Sequence, residues 1–308
     1  MGRPLDKTEA AFYGRFVDAA YSLFRANPAT LRPEPGPTDI PAPYELVAWI
    51  NMSDFAFGDE VPKFYGIVAR HTQNRHTYIL AIRGTEGWIE WLDDAMVHLV
   101  PFTQVPQAGR VSNGFDKIYS TLKVVKRHGA AAAAAGALTA TAVPAPEPML
   151  GSFAEQLEQL ADSLEEPAIQ EKMLLTPVER PRRSFTVAGH SLGSALATLF
   201  VIENKEKNKF DISTICTFAS PRVGNMEFAR LFNLLPITSW RIANQQDIVP
   251  RIPLHVPMIF DYEHVDTLYD FSSSGQVKWN PLCWHSMTTY LHWLDPAVAV
   301  DPECRREG

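Results

Sequence analysis

Ser184-Phe185-Thr186-Val187-Ala188-Gly189-His190-Ser191-Leu192-Gly193-Ser194-Ala195-Leu196-Ala197 decides how the rest of this chain is read. A β-rich run enters a G-x-S-x-G pattern at Gly189, Ser191 and Gly193, and a helix-forming run leaves it. Strand, tight turn and helix in that order make a nucleophile elbow, which holds a serine in strained geometry above the end of a sheet. The glycines stand where a Cβ would collide with the neighbouring strand or helix. A serine hydroxyl is a weak nucleophile. Presented this way it requires a base, an orienting acid and oxyanion donors from elsewhere in the chain.

On a sheet of this kind the acid and then the histidine follow the serine in sequence. Trp240 to Asn244 reads as a late strand, and Gln245-Gln246-Asp247 follows before Ile248 to Pro253 leads away without helix. Asp247 is thereby placed at a strand's carboxyl end, where sites in open α/β sheets form. Asp211, Asp261 and Asp266 are rivals with weaker placement. Of the histidines after Asp247, namely His255, His264, His285 and His292, His285 stands just before a helix start at Ser286 to Leu291. Such a position holds a ring rigidly, and an ordinary pKa of about 6.5 suits proton transfer near neutrality. His264, in a polar and acidic run, is the second choice. The oxyanion donors are expected at the N–H of Leu192, directly after the serine, and at Thr85, where Ile82-Arg83-Gly84-Thr85 ends an earlier strand.

The chain has 308 residues, enough for one large α/β domain with a well-buried core. An apolar fraction of 46% and a charged fraction of 20% are ordinary for a globular protein. A formal net charge of −7 argues against nucleic acid as a partner and against strong attraction to an anionic membrane. Cys216, Cys283 and Cys304 are odd in number, and this usage leads to the expectation of reduced thiols rather than a disulfide framework. With no signal-peptide core after Met1 to Lys7, the expected location is cytoplasmic. No stretch is long and apolar enough to predict a transmembrane span. No His or Cys cluster has metal-ligand spacing and no Gly-rich phosphate loop is present, so neither metal nor organic cofactor is expected.

Asp6 or Thr8 can cap a first helix whose Phe12, Phe16, Ala20, Leu23 and Phe24 share a face, and Asn27-Pro28 ends it. Residues 28 to 43 are Pro-rich, and residues 1–60 as a whole are read as an N-terminal helix and an extended wrap. Strands are expected at Phe64 to His71, Thr77 to Ile82, Ser184 to Ala188, Ile212 to Ala219 and Thr238 to Ala243, with a helix over Phe115 to Lys126. Helical segments between several strands predict a mostly parallel sheet covered on both faces. Residues 128–182 read as an insertion within a single domain spanning 1–308. The insertion has an Ala-rich run, a Pro-rich linker, and a capping box at Ser152 and Glu155 ahead of a helical stripe.

Taken together, Ile82-Arg83-Gly84-Thr85, Gly189-His190-Ser191-Leu192-Gly193, Thr217 to Asn225, Asp247 to Pro253 and His285-Ser286-Met287-x-x-Tyr290 resemble the fungal-type, or class 3, lipases of the α/β-hydrolase fold. The conjunction of these ordered blocks is far more specific than any one of them. Two departures are visible: Ser112 stands where the family's V-H-x-G-F block has histidine, and Ser194 where a third glycine is usual. The resemblance implies Ser191 as nucleophile, Asp247 as acid, His285 as base, and Thr85 with Leu192 as oxyanion donors.

It also implies a lid after the oxyanion block. Trp88, Trp91, Leu92, Ala95, Met96 and Leu99 share one helical face there, and a helix docked permanently on the core would show the same pattern. The expected activity is hydrolysis of carboxylic esters, as a lipase on acylglycerols or other long-chain acyl esters, with transient contact at a lipid–water interface. A phospholipase A1 or an acyltransferase would use the same triad, and a hydrolase-fold protein that binds a hydrophobic ligand without turnover is the alternative outside catalysis.

Overall fold

A computed structural model of the chain describes residues 3–53, 61–85, 98–127, 149–165, 182–253 and 261–306. Helix α1 (Lys7–Ala26) is followed by strands β1 (Tyr44–Ser53), β2 (Pro62–His71), β3 (Thr77–Ile82), β4 (Leu99–Pro101) and β5 (Arg110–Ser112). Next come α2 (Asn113–Ser120), β6 (Lys123–Lys126), α3 (Phe153–Ser163), β7 (Ser184–His190), α4 (Leu192–Lys207) and β8 (Asp211–Phe218). The last third holds β9 (Gly224–Asn225), α5 (Met226–Asn233), β10 (Thr238–Asn244), β11 (Tyr262–Glu263), β12 (Leu268–Phe271), α6 (Pro281–His285) and α7 (Met287–Leu294).

Eight strands form one sheet in the order β12-β10-β8-β7-β3-β2-β1-β6. β12, β10, β8, β7 and β3 run parallel, while β2, β1 and β6 continue it antiparallel. Such a sheet must bury both faces, and its inner strands read as near-continuous apolar runs for that reason. On one face α2, α3 and α4 close a core around Val68, Leu80, Val187 and Ile215. On the other, α1 and α7 pack over Ile67, Ile79, Ala188 and Phe218. Helix α1 is capped by Asp6, which accepts from the N–H groups of Thr8 and Glu9. This α/β-hydrolase architecture puts the carboxyl ends of β3, β7, β8 and β10 along one rim.

Three expectations are corrected. The wrap assigned to residues 1–60 contains β1, which is buried across most of its length between β2 and β6 and so lacks the alternating pattern of a half-exposed strand. The helix expected over Phe115 to Lys126 ends at Ser120, and Lys123–Lys126 instead pairs with β1. Cys283 and Cys304 are joined in a disulfide, leaving Cys216 as the free, buried thiol.

Within the insertion, α3 carries the expected capping box at Ser152 and Glu155 and packs Phe153, Leu157 and Leu160 into the core. Residues 128–148 and 166–181 lie outside the described residues. Among the described residues no helix is long and apolar enough to cross a membrane.

Candidate active site

At the end of β7 the chain turns into α4 within one residue, Ser191, whose φ of 56° and ψ of −126° lie outside the ordinary regions for a side-chain-bearing residue. The turn is possible because its flanks carry no Cβ. A Cβ on Gly193 would sit 2.2 Å from the carbonyl oxygen of Ile82, and one on Gly189 would sit 2.4 Å from that of Gly193. Ser194, in place of a third glycine, is fully buried and shares its hydroxyl between the carbonyls of Gly189 at 2.7 Å and Phe218 at 2.9 Å. The larger side chain therefore ties the start of α4 to the two strands beneath it.

Asp247 leaves the end of β10 as expected, and His285 closes the short helix α6 just before α7. The structure brings the two together with Ser191. The Ser191 hydroxyl lies 2.9 Å from His285 Nε2, and His285 Nδ1 lies 2.7 Å from Asp247 Oδ2. A carboxylate can only accept, so Nδ1 carries the proton and Nε2 is left to accept from Ser191 Oγ. The three residues are 2%, 4% and 2% exposed for Ser191, His285 and Asp247, so the line is shielded from bulk water. Asp247 is held from two further sides: the Tyr290 hydroxyl donates to Oδ2 at 2.7 Å and the Val249 N–H to Oδ1 at 3.0 Å. Tyr290 in turn accepts from the N–H of Asn244 at 3.1 Å.

The segment after β3 runs against the elbow. A Cβ on Gly84 would meet the Ser191 Cβ at 2.7 Å, which places the Gly84–Thr85 backbone beside the serine. Leu192 opens α4, so its N–H has no acceptor within the helix and is available at the helix N-terminus, where anions are favoured. Arg83 fixes this segment: it is buried, donates to the carbonyls of Phe64 and Gly84, and stacks its guanidinium 3.6 Å from the Phe24 ring centroid. A cavity of about 210 Å³ lined by Tyr21, Arg25, Thr85, Leu282, His285 and Met287 opens next to these groups.

Beneath the serine runs a second buried line. The Gly84 N–H donates to the Tyr21 hydroxyl at 2.8 Å, and Tyr21 lies 2.7 Å from His190 Nδ1. His190 Nε2 lies 2.8 Å from the carbonyl of His285, which can only accept. Nε2 therefore carries the proton and Nδ1 accepts from Tyr21. Burial, with the nearby His285 adding to it, pushes the His190 pKa well below its ordinary value and keeps the ring neutral. Sequence reasoning missed these roles for Tyr21, Arg83, His190 and Tyr290. The aromatic residues sit at helical spacing, where packing alone explains them, and only the tertiary fold shows where the hydroxyls point.

His264, the second choice as base, is elsewhere: its Nε2 lies 2.6 Å from the Pro250 carbonyl. His292 Nδ1 lies 2.8 Å from the Val298 carbonyl. Trp88, Trp91, Leu92, Ala95 and Met96 of the expected lid face, and His255, lie outside the described residues, whereas Leu99 opens strand β4 rather than continuing a helix.

The family model described as lipase (class 3) matches residues 79–256, more than half of the chain. The chain belongs to the class 3 lipase family. Among curated relatives of this class 3 lipase family member, phospholipase A1-II 1 of Oryza sativa subsp. indica is 28% identical over 229 residues, covering 71% of this chain and 50% of that protein. Phospholipase A1-II 4 of Oryza sativa subsp. japonica is 29% identical over 282 residues, covering 83% and 63%. The chain thus spans about half the length of the first of these relatives. Among solved structures, the lipase from Rhizopus microsporus var. chinensis superposes with a TM-score of 0.52 at 19% identity, over 86% of this chain and 74% of that one. The Rhizomucor miehei triacylglyceride lipase gives 0.53 at 19% identity, over 85% and 79%. At that identity the solved structures speak to the fold.

Proposed function

We propose that this chain is a serine hydrolase of carboxylic esters with long acyl chains, working through an acyl-enzyme at Ser191. The observation that carries the reading is the continuous line Ser191 Oγ, His285 Nε2, His285 Nδ1, Asp247 Oδ2 at a strained elbow. Ser191 Oγ attacks the ester carbonyl carbon as its proton passes to His285 Nε2, and Asp247 stabilises the imidazolium that results. Negative charge develops on the former carbonyl oxygen, where the N–H groups of Leu192 and Thr85 receive it. His285 then returns the proton to the departing alkoxide, which leaves as alcohol. Water attacks the acyl-enzyme with His285 again as base, and the carboxylic acid leaves as Ser191 regains its proton.

A phospholipid is the more specific substrate class, favoured by the curated relatives, several of which are phospholipases A1. Purified protein should be given p-nitrophenyl esters from acetate to palmitate, trioctanoin, and phosphatidylcholine carrying different acyl chains at its two ester positions. Release of the sn-1 acyl chain in preference to trioctanoin turnover supports the phospholipid class, and the reverse supports an acylglycerol lipase. A folded protein with no turnover on any of them contradicts the enzyme reading.

A further inference from the structure

Three arginines, Arg222, Arg241 and Arg251, converge on one cavity of about 260 Å³ at the carboxyl end of β10. Water occupies about 30 Å³ per molecule, so the space is several waters large. Asp247, His264 and Asp270 also line it. Among the described residues none of the three arginines is in a salt bridge, and all their hydrogen bonds go to backbone carbonyls. Arg222 Nη1 donates to Arg251 and to Pro253 at 2.8 Å, Arg241 Nε to Val265 at 2.9 Å, and Arg251 Nη2 to Gln245 at 2.6 Å. A guanidinium has five N–H donors. Each of these therefore keeps most of its donor fork unused by the described residues, and carbonyls do not neutralise its charge.

The carboxylates at hand do not fill that role. Asp247 spends its oxygens on His285, Tyr290 and the Val249 N–H. Asp270 is exposed and accepts from the Gln245 amide at 2.7 Å. Arg241 is only 6% exposed, and burial lowers its pKa to about 10. Asp266 and Glu263 oppose that fall, and Arg222 adds to it. His264 is kept neutral by burial, and its Nδ1 is sealed without a partner. Three like charges line this half-buried pocket, with Asp266 and Glu263 acting on Arg241 only through space and not as salt-bridge partners, and planar guanidinium forks match the paired oxygens of a phosphate group.

We propose that this cavity binds a phosphate-type oxyanion, as free phosphate or as the phosphate of a lipid head group. The site lies behind Asp247, on a different cavity from the one that opens by Thr85 and His285. It does not depend on the esterase reading.

The test is calorimetric titration of the full chain with sodium phosphate against sodium chloride at matched ionic strength. In parallel, co-sedimentation is measured with phosphatidylcholine vesicles with and without phosphatidic acid. Saturable phosphate binding identifies the free ion. Phosphatidic-acid-dependent co-sedimentation without binding of inorganic phosphate identifies the head group. Whichever probe binds, Arg251→Gln should weaken it about fivefold or more, as expected for loss of one charge-assisted contact. Asp270→Asn should tighten it, because a repelling carboxylate leaves the rim. If Arg251→Gln does not fold, Asp270→Asn decides alone: tighter binding supports the site and unchanged or weaker binding overturns it. Binding of neither probe, or binding that a folded Arg251→Gln leaves unchanged, also overturns it.

Discussion

Tyr290 donates its hydroxyl to the same Asp247 oxygen, Oδ2, that holds His285 Nδ1, and both contacts are 2.7 Å long. Burial, reinforced by the Asp247 charge, raises the Tyr290 pKa well above its ordinary value, so the phenol stays a donor. The carboxylate is thus fixed from the side of α7 as well as from the backbone of its own loop. Tyr290→Phe removes this donor and leaves the Asn244 N–H without its acceptor. A stability loss of about 2 kcal/mol is expected from a buried group left unpaired. Turnover should fall about tenfold at nearly constant KM, since the proposed base His285 is less well oriented. Urea unfolding and steady-state kinetics on a soluble ester check both, and an unchanged kcat contradicts the positioning role.

Tyr21→Phe tests the line beneath the serine. It removes the acceptor of the Gly84 N–H and the donor to His190 at once. Since Gly84 precedes the proposed oxyanion donor Thr85, kcat should drop about ten- to a hundredfold, within the cost of losing one such donor. KM should move little, because the ground-state ester makes few demands on this contact. A rise in KM alone would instead place Tyr21 in substrate binding.

Acid should destabilise the fold through its neutral histidines. Burial, with Arg241 adding to it, lowers His264 to about 3, and His190 also lies well below its ordinary value. The unfolded chain takes up a proton on each near pH 6.5 while the folded chain does not, so stability falls as pH drops below that value. The expected slope is about 1.4 kcal/mol per pH unit for each histidine. For His264 the slope runs out at about pH 3. Comparing the pH dependence of urea midpoints in native protein and His264→Gln isolates one of the two, and parallel curves contradict the assignment.

The Cys283–Cys304 bond joins positions separated by 21 in sequence and closes a loop that includes His285 and all of α7. Loop closure of that length is worth about 3 kcal/mol. Cys304→Ser, or reduction of the native protein, should lower the thermal midpoint. Mass analysis of peptides from non-reduced protein shows whether the bond forms, and two free thiols there would contradict it.

What could be read without coordinates was what local chemistry enforces. A Cβ at Gly189 or Gly193 would fall 2.4 or 2.2 Å from a backbone carbonyl oxygen, so glycine is required at both and the elbow announces itself in five residues. Asp247 and His285 follow from strand end and helix start, both local signals. Strand β1 was hidden because a strand buried on both faces shows no alternation, and it follows a Pro-rich run. The disulfide, the Tyr21–His190 contact and the arginine cavity join residues far apart in sequence, and no spacing encodes them. Arg222 and Arg251 look like ordinary surface charges until the fold sets them beside Arg241.

The central claim is an acyl-enzyme on Ser191. Rapid mixing of p-nitrophenyl butyrate with the native protein should release p-nitrophenol in a burst matching the enzyme concentration. Intact mass should show an added butyryl group that peptide mapping places on Ser191. Ser191→Ala should fold, show neither burst nor adduct, and lose at least about 10⁴-fold in turnover. An adduct on another residue, or full turnover by Ser191→Ala, would contradict the mechanism.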